Sequence, residues 1–196
     1  MPKSHKLIYA VYVIIWILLA INPKYPEDWL LENVLIFILF PTLLWLDKKY
    51  NFSLFSLILI LIFSIFHSVG AHYTYAQMPY FNDITQFFGF ERNNFDRFVH
   101  FLYGLLLFRP ILEIVTAHST KSRFALIFTF SIIVTIATTY EILEWLAAVI
   151  FHPDLGIAFL GTQGDVWDAQ KDTLSAIIGA MINFAIFYPK YNSSLD

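Results

Sequence analysis

The sequence predicts an all-α protein, a polytopic transmembrane helical bundle of about six spans with its N-terminus in the cytoplasm. Three observations carry that prediction. Of 196 residues, 58% are hydrophobic and 14% charged, against roughly 45–50% and roughly 25% in soluble domains. The apolar residues gather into runs close to the ~20 residues that a hydrocarbon layer of ~30 Å asks of a helix. Lys and Arg collect at alternate ends of these runs, as the positive-inside rule requires.

The first run, 7–21, follows Lys3 and Lys6 and ends at Asn22-Pro23. No small-residue cleavage site comes after it, so it reads as a retained span and not as a signal peptide. The second, 30–46, has Glu32 and Asn33 near its start and Pro41 inside it, and is short for a span. The third, 52–75, is clean until His67 and His72. Runs 96–117, 124–151 and 166–188 complete the set, and 1–196 reads as a single integral membrane domain. With the N-terminus inside, the cytoplasmic ends hold Lys3, Lys6, Lys48, Lys49, Lys121, Arg123 and Lys190. The opposite ends hold Lys24, Arg92, Arg97 and Lys171, mixed with acids. The pattern implies a membrane protein that crosses the bilayer several times.

A formal net charge of -3 without a basic face excludes nucleic acid as a partner. The absence of Cys removes disulfides, thiolate nucleophiles and Cys-based zinc sites. A divalent metal would rest on His and carboxylate, a donor set that suits zinc, manganese or iron.

Topology then gathers the scattered polar residues. At 1.5 Å per residue, His67 and His72 lie roughly 22 and 30 Å along the third span, at its outer end. The fourth span descends from that level, with Asp96 at its start and His100 one turn in. Glu141 and Glu144 come roughly 26 and 30 Å up the fifth. The sixth returns Asp165, Asp168 and Asp172 to the same depth. Ionisable groups inside a membrane are costly and by default face the bundle interior and mark function.

Spacing supports a shared site. Asp96 and His100 share a helix face, and so do Glu141 and Glu144. His67 and His72 stand about 140° apart on an ideal helix and share a site only if it bends near Gly70. Within GTQGDVWDAQKD (161–172), helix from Asp165 onward would put Asp165, Asp168 and Asp172 on one face, with Asp165 as N-cap. Capping accounts for Asp165 and Asp168 but not for Asp172, a turn deeper. Arg109 and Glu113, beside Pro110, read as a structural ion pair. The aromatic segment 79–95 reads as an interfacial anchor over the cluster, or a lid. Facing helices that present Glu and His are a common way to build carboxylate metal sites.

The strings HSVGAHYTY (67–75), FERNNFDRFVHFLYG (90–104), EILEW (141–145) and GTQGDVWDAQKD resemble the YjdF-type bacterial inner-membrane proteins. The resemblance covers the third to sixth spans and implies location and topology without supplying an activity. It singles out His67, His72, Tyr73, Arg92, Asp96, Arg97, His100, Glu141, Glu144, Asp165, Asp168 and Asp172. More distantly, the D-R-x-x-H, E-x-x-E and D-x-x-D order is similar to VanZ-like membrane proteins, from which Glu144 departs. That likeness favours cell-envelope chemistry.

Three functions fit. The first is a metal-dependent hydrolase or transferase acting at the outer leaflet on a lipid or lipid-linked substrate. There His72, Asp96, His100, Glu141, Asp165, Asp168 and Asp172 hold metal, His67 or Glu144 serves as base, and Arg92 or Arg97 clamps an anion. The second is a proton or divalent-cation transporter. The third is a structural or assembly factor whose buried polar network serves packing. Polar groups continuing through the inner half would separate the second from the first.

Overall fold

The computed structural model describes residues 1–118, 122–150 and 163–191. Gly161, Thr162, Lys121, His152 and Asp154 therefore lie outside the described residues. Seven α-helices are described: α1 (Lys3–Leu19), α2 (Pro26–Tyr50), α3 (Leu54–Tyr73), α4 (Pro79–Phe88), α5 (Phe95–His118), α6 (Arg123–Ile150) and α7 (Asp168–Phe187). Five of them, α2, α3, α5, α6 and α7, are long and apolar enough to cross a membrane. At 17 residues, α1 is about 25 Å long, short of the full hydrocarbon thickness.

Local chemistry explains the boundaries. Helix α2 begins four residues before the predicted run because Pro26 pre-sets the first turn and Glu27 and Asp28 meet the positive end of its dipole. It ends where Asn51 turns left-handed (φ 50°) after Lys48 and Lys49. Its polar residues Glu32 and Asn33 are buried and bond to neighbouring helices. Asn33 accepts from Trp16 Nε1 at 2.6 Å and donates to the Trp29 carbonyl at 2.7 Å. Helix α3 starts at a Ser53 cap that Glu113 reinforces, accepting from Ser53 N, Ser53 Oγ and Ser56 Oγ at 3.0, 2.6 and 2.8 Å. Glu113 is also 3.5 Å from Arg109, so the expected structural pair doubles as a helix cap. His5 is buried against Asp47 at 3.0 Å.

Helix α5 forms the axis. It packs on α3 and α6, and most extensively on α7. Where α5 and α7 cross, a side chain at Gly104 would strike the Ala176 carbonyl, and one at Gly179 would strike the Phe101 carbonyl. Only hydrogen fits, and small residues at such crossings are how membrane helices approach closely. Asn183 of α7 donates to the Leu105 carbonyl across the same seam. Outward faces carry exposed apolar side chains such as Leu18, Ile38 and Ile178, as a lipid-facing surface requires. The segment 79–95 contains a helix of its own. Pro79 opens α4 and Gly89, at φ 65°, closes it, with Tyr80, Phe87 and Phe88 exposed.

Candidate functional site

The tight α5–α7 crossing sets two helix N-termini side by side. The first turns of α5 supply Asp96, Arg97 and His100, and those of α7 supply Asp168 and Asp172. One carboxylate oxygen each from Asp96, Asp168 and Asp172 lies within 4.8 Å of the others. Asp168 and Asp172 are buried. Arg92 pairs with Asp168 Oδ1. Arg97 reaches Asp168 Oδ1 at 3.2 Å and Asp165 Oδ2 at 2.6 Å, and stands 3.9 Å from Asp172 Oδ1. Among the described residues, neither Asp168 Oδ2 nor Asp172 Oδ1, both buried, has a hydrogen-bond partner. Buried carboxylate oxygens ordinarily find partners.

Helix α6 closes the group on another side. His100 Nε2 lies 3.3 Å from Glu141 Oε1 and 3.6 Å from Asp96 Oδ1, bridging α5 and α6. Glu144, one turn along, is buried as well. Five carboxylates, of Asp96, Asp165, Asp168, Asp172 and Glu141, thus face the three cations Arg92, Arg97 and Lys171. Full ionisation of these five would leave two negative charges uncompensated. A cleft of about 960 Å³ opens between α6 and α7, and Glu141, Glu144, Asp165 and Asp168 line its polar end.

Three expected residues take other parts. Asp165 is not the N-cap of α7, because the helix begins three residues later, at Asp168 after Trp167. Its carboxylate accepts from Lys171 Nζ at 2.6 Å, the Trp167 amide at 3.0 Å and Arg97 at 2.6 Å. The Lys171 hydrogen bond, then the amide and Arg97, hold its carboxyl well below the usual carboxylate range. With both oxygens engaged, Asp165 orients Arg97 and stands apart from the three-carboxylate group. His72 does not face the cluster. Because α3 runs unbroken through Gly70, the five-residue spacing turns His72 toward α1, where Nδ1 bonds the Leu19 carbonyl at 2.8 Å. His67 is buried, with the Tyr75 hydroxyl 2.5 Å from Nδ1. It lines a cavity of about 150 Å³ with Asp96 and His100 but does not touch Asp168 or Asp172.

Other participants carried too little sequence signal. Glu32 of α2 accepts from Tyr140 of α6 at 3.2 Å, and its place in an apolar run was the one clue. Asn93 is buried and knits the cluster end together. Its side chain donates to the Met78 carbonyl (3.0 Å) and to Asn82 Oδ1 (2.7 Å), and accepts from the Phe95 amide (3.0 Å). Its backbone exchanges two 2.9 Å bonds with the Gln163 amide. Asn93→Ala removes three hydrogen bonds, one buried and two part-buried. The expected cost is about 2–3 kcal/mol, read as a lowered midpoint of thermal unfolding in detergent. Faster proteolysis of α4 should accompany it, whereas an unchanged midpoint would mean that α4 is held by its apolar face alone.

A family model described as a predicted membrane protein matches residues 4–192. Inner membrane protein YjdF of Escherichia coli (strain K12) is 33% identical over 168 residues, 84% of this chain and 78% of that relative. No solved structure matches. The YjdF-type resemblance is therefore borne out, and it extends beyond the spans whose motifs carry it. With five apolar helices of spanning length, this is a multi-pass inner-membrane protein. The chain belongs to the DUF2238 family of predicted membrane proteins.

Proposed function

We propose that the protein is a divalent-cation-dependent hydrolase or transferase that works at the outer leaflet on a lipid or lipid-linked envelope substrate. The observation that carries this reading is the pair of buried, unbonded oxygens, Asp168 Oδ2 and Asp172 Oδ1, beside Asp96. A cation there would balance the negative charge of the ionised group and satisfy both atoms. The donors are carboxylate oxygens, so of the metals that suit the chain manganese fits better than zinc, and magnesium fits the same set. Bound, such an ion polarises an ester or phosphoester bond and activates water. Arg97, held by Asp165 and partly exposed, is placed to clamp an anionic group. Glu144 on the cleft wall is the base, and His100 is oriented by Asp96 and Glu141. The Lys and Arg asymmetry puts this end outside, and the VanZ-like layout favours the same envelope chemistry.

A second reading has its own support. The Arg92–Asp168 and Arg97–Asp165 pairs tie the start of α7 to α5 and to the segment before it, which is what a structural clamp would do. Transport has less, since the cavity wall beyond His67 is largely apolar. The test is elemental mass spectrometry on protein purified in mild detergent. Stoichiometric manganese or magnesium, lost in folded Asp172→Asn, is the expected result. Metal-free protein whose unfolding temperature ignores added manganese and magnesium would leave the clamp.

A further inference from the structure

Two adjoining cavities, of about 250 and about 150 Å³, run down the bundle from the acid group; α2, α3, α5 and α6 enclose the smaller, and α1, α2, α3 and α5 enclose the larger, which meets α6 at Ile136. Leu35 and Leu39 of α2, Phe63 of α3, Leu107 of α5 and Ile136 of α6 wall both. The polar groups are concentrated at one end, where Asp96 and His100 meet the smaller cavity. Asp96 belongs to the three-carboxylate group as well, so the crevice and the candidate cation site share a wall.

The walls decide what can occupy it. His67, Tyr75, Asp96, His100, Tyr103 and Tyr140 put polar groups on the smaller cavity, whereas the larger is walled mostly by Leu, Ile and Phe. An apolar cavity of ~150 Å³ already stays dry and accepts an apolar guest, because water needs two to four polar partners. The larger cavity exceeds that size. Left empty, it would cost stability in proportion to its volume. The lips, Leu39 and Ile136, are 46% and 47% exposed. Helix α2 packs on α3 and only lightly on α5. At the cluster end the Tyr140–Glu32 hydrogen bond spans α2 and α6, which closes the crevice there and leaves the mouth lower, at the depth of lipid tails.

We infer that this crevice takes the hydrocarbon chain of a membrane lipid, entering between α2 and α6 with its head group at Asp96 and His100. That the lipid is the substrate rests on the proposed activity, but occupancy by a chain does not. The full chain would be reconstituted in phosphatidylethanolamine vesicles doped with a phospholipid bearing a mid-chain diazirine, irradiated, and mapped by peptide mass spectrometry. Adducts are expected on inward-facing Phe63 and Leu107 as well as on lipid-facing Leu18 and Phe128. Ile136→Trp, a change at an exposed lip, should lower the inward adducts at least tenfold and leave the lipid-facing ones unchanged. Adducts confined to Leu18, Phe128 and other outward side chains, or inward adducts that Ile136→Trp does not reduce, overturn the inference. Inward adducts on protein that binds no metal would uphold the crevice while the proposed activity falls, and bound metal with outward adducts alone would do the reverse.

Discussion

Alanine at Gly104 is expected to lower the thermal unfolding midpoint by about 4–8 °C, and alanine at Gly179 to act alike. In a helix interior alanine is favoured over glycine by up to about 1 kcal/mol, so propensity alone would raise the midpoint. At this crossing packing opposes it. The new methyl at Gly104 would overlap the Ala176 carbonyl, and the one at Gly179 the Phe101 carbonyl. Backbone oxygens cannot rotate aside as a side chain can, so the helices must move apart. Overpacking of this kind costs at least the upper part of the ~1–3 kcal/mol range, leaving about 2 kcal/mol or more of net loss. For a chain of this size each kcal/mol shifts the midpoint by about 2–4 °C. Valine at either position should prevent recovery of folded protein. Ser175→Ala on α7, half-buried with its hydroxyl bonded to the Lys171 carbonyl of its own helix, is the control and should change little. Equal midpoints for the wild type and both alanine variants would show that α5 and α7 do not meet as closely as described. The same separation would pull Asp96 from Asp168 and Asp172, so cation binding should fall with stability.

The second large effect distinguishes two aspartates one turn apart. Asp168→Ala is expected to cost about 3–5 kcal/mol, the usual penalty for removing one partner of a buried ion pair. Arg92 and Arg97 both engage its Oδ1, and Arg92 is buried. Asp172→Asn should be close to neutral in metal-free buffer. Arg97 stands 3.9 Å from it, beyond hydrogen-bond reach, while Asp96 and Asp168 crowd it, so removing its charge relieves repulsion. The order reverses for ligand-linked stability. Saturating manganese or magnesium, at about one hundred times its dissociation constant, should stabilise the wild type by about 2.7 kcal/mol and Asp172→Asn hardly at all. Paired unfolding curves with and without the ion test both halves. If the two variants lost equal stability in metal-free buffer, the division into a clamping and a ligating aspartate would fail.

Much of the site was legible because membrane burial makes ionisable residues conspicuous. Asp96, His100, Glu141, Asp168 and Asp172 stand out against apolar runs, and reading the spans alternately up and down brings them to one level. The structure places them there. His72 shows the limit of that reasoning. Depth along a helix puts it beside His67, but azimuth turns it to α1, and azimuth depends on α3 staying straight at Gly70. Asn93 shows another. An Asn in a loop gives no sign of being buried, since its partners Met78, Asn82, Phe95 and Gln163 come from segments whose meeting no local pattern encodes.

By itself, then, the sequence determined an all-helical membrane bundle and the depth at which its charges lie, because hydropathy and rise per residue are properties of one segment at a time. Only the tertiary structure decided which of those charges pair, which oxygens are left without a hydrogen bond, and where a crevice opens between α2 and α6. Those outcomes turn on the rotation of each helix and the closeness of α5 to α7, and both are fixed by packing between distant residues such as Gly104 and Ala176.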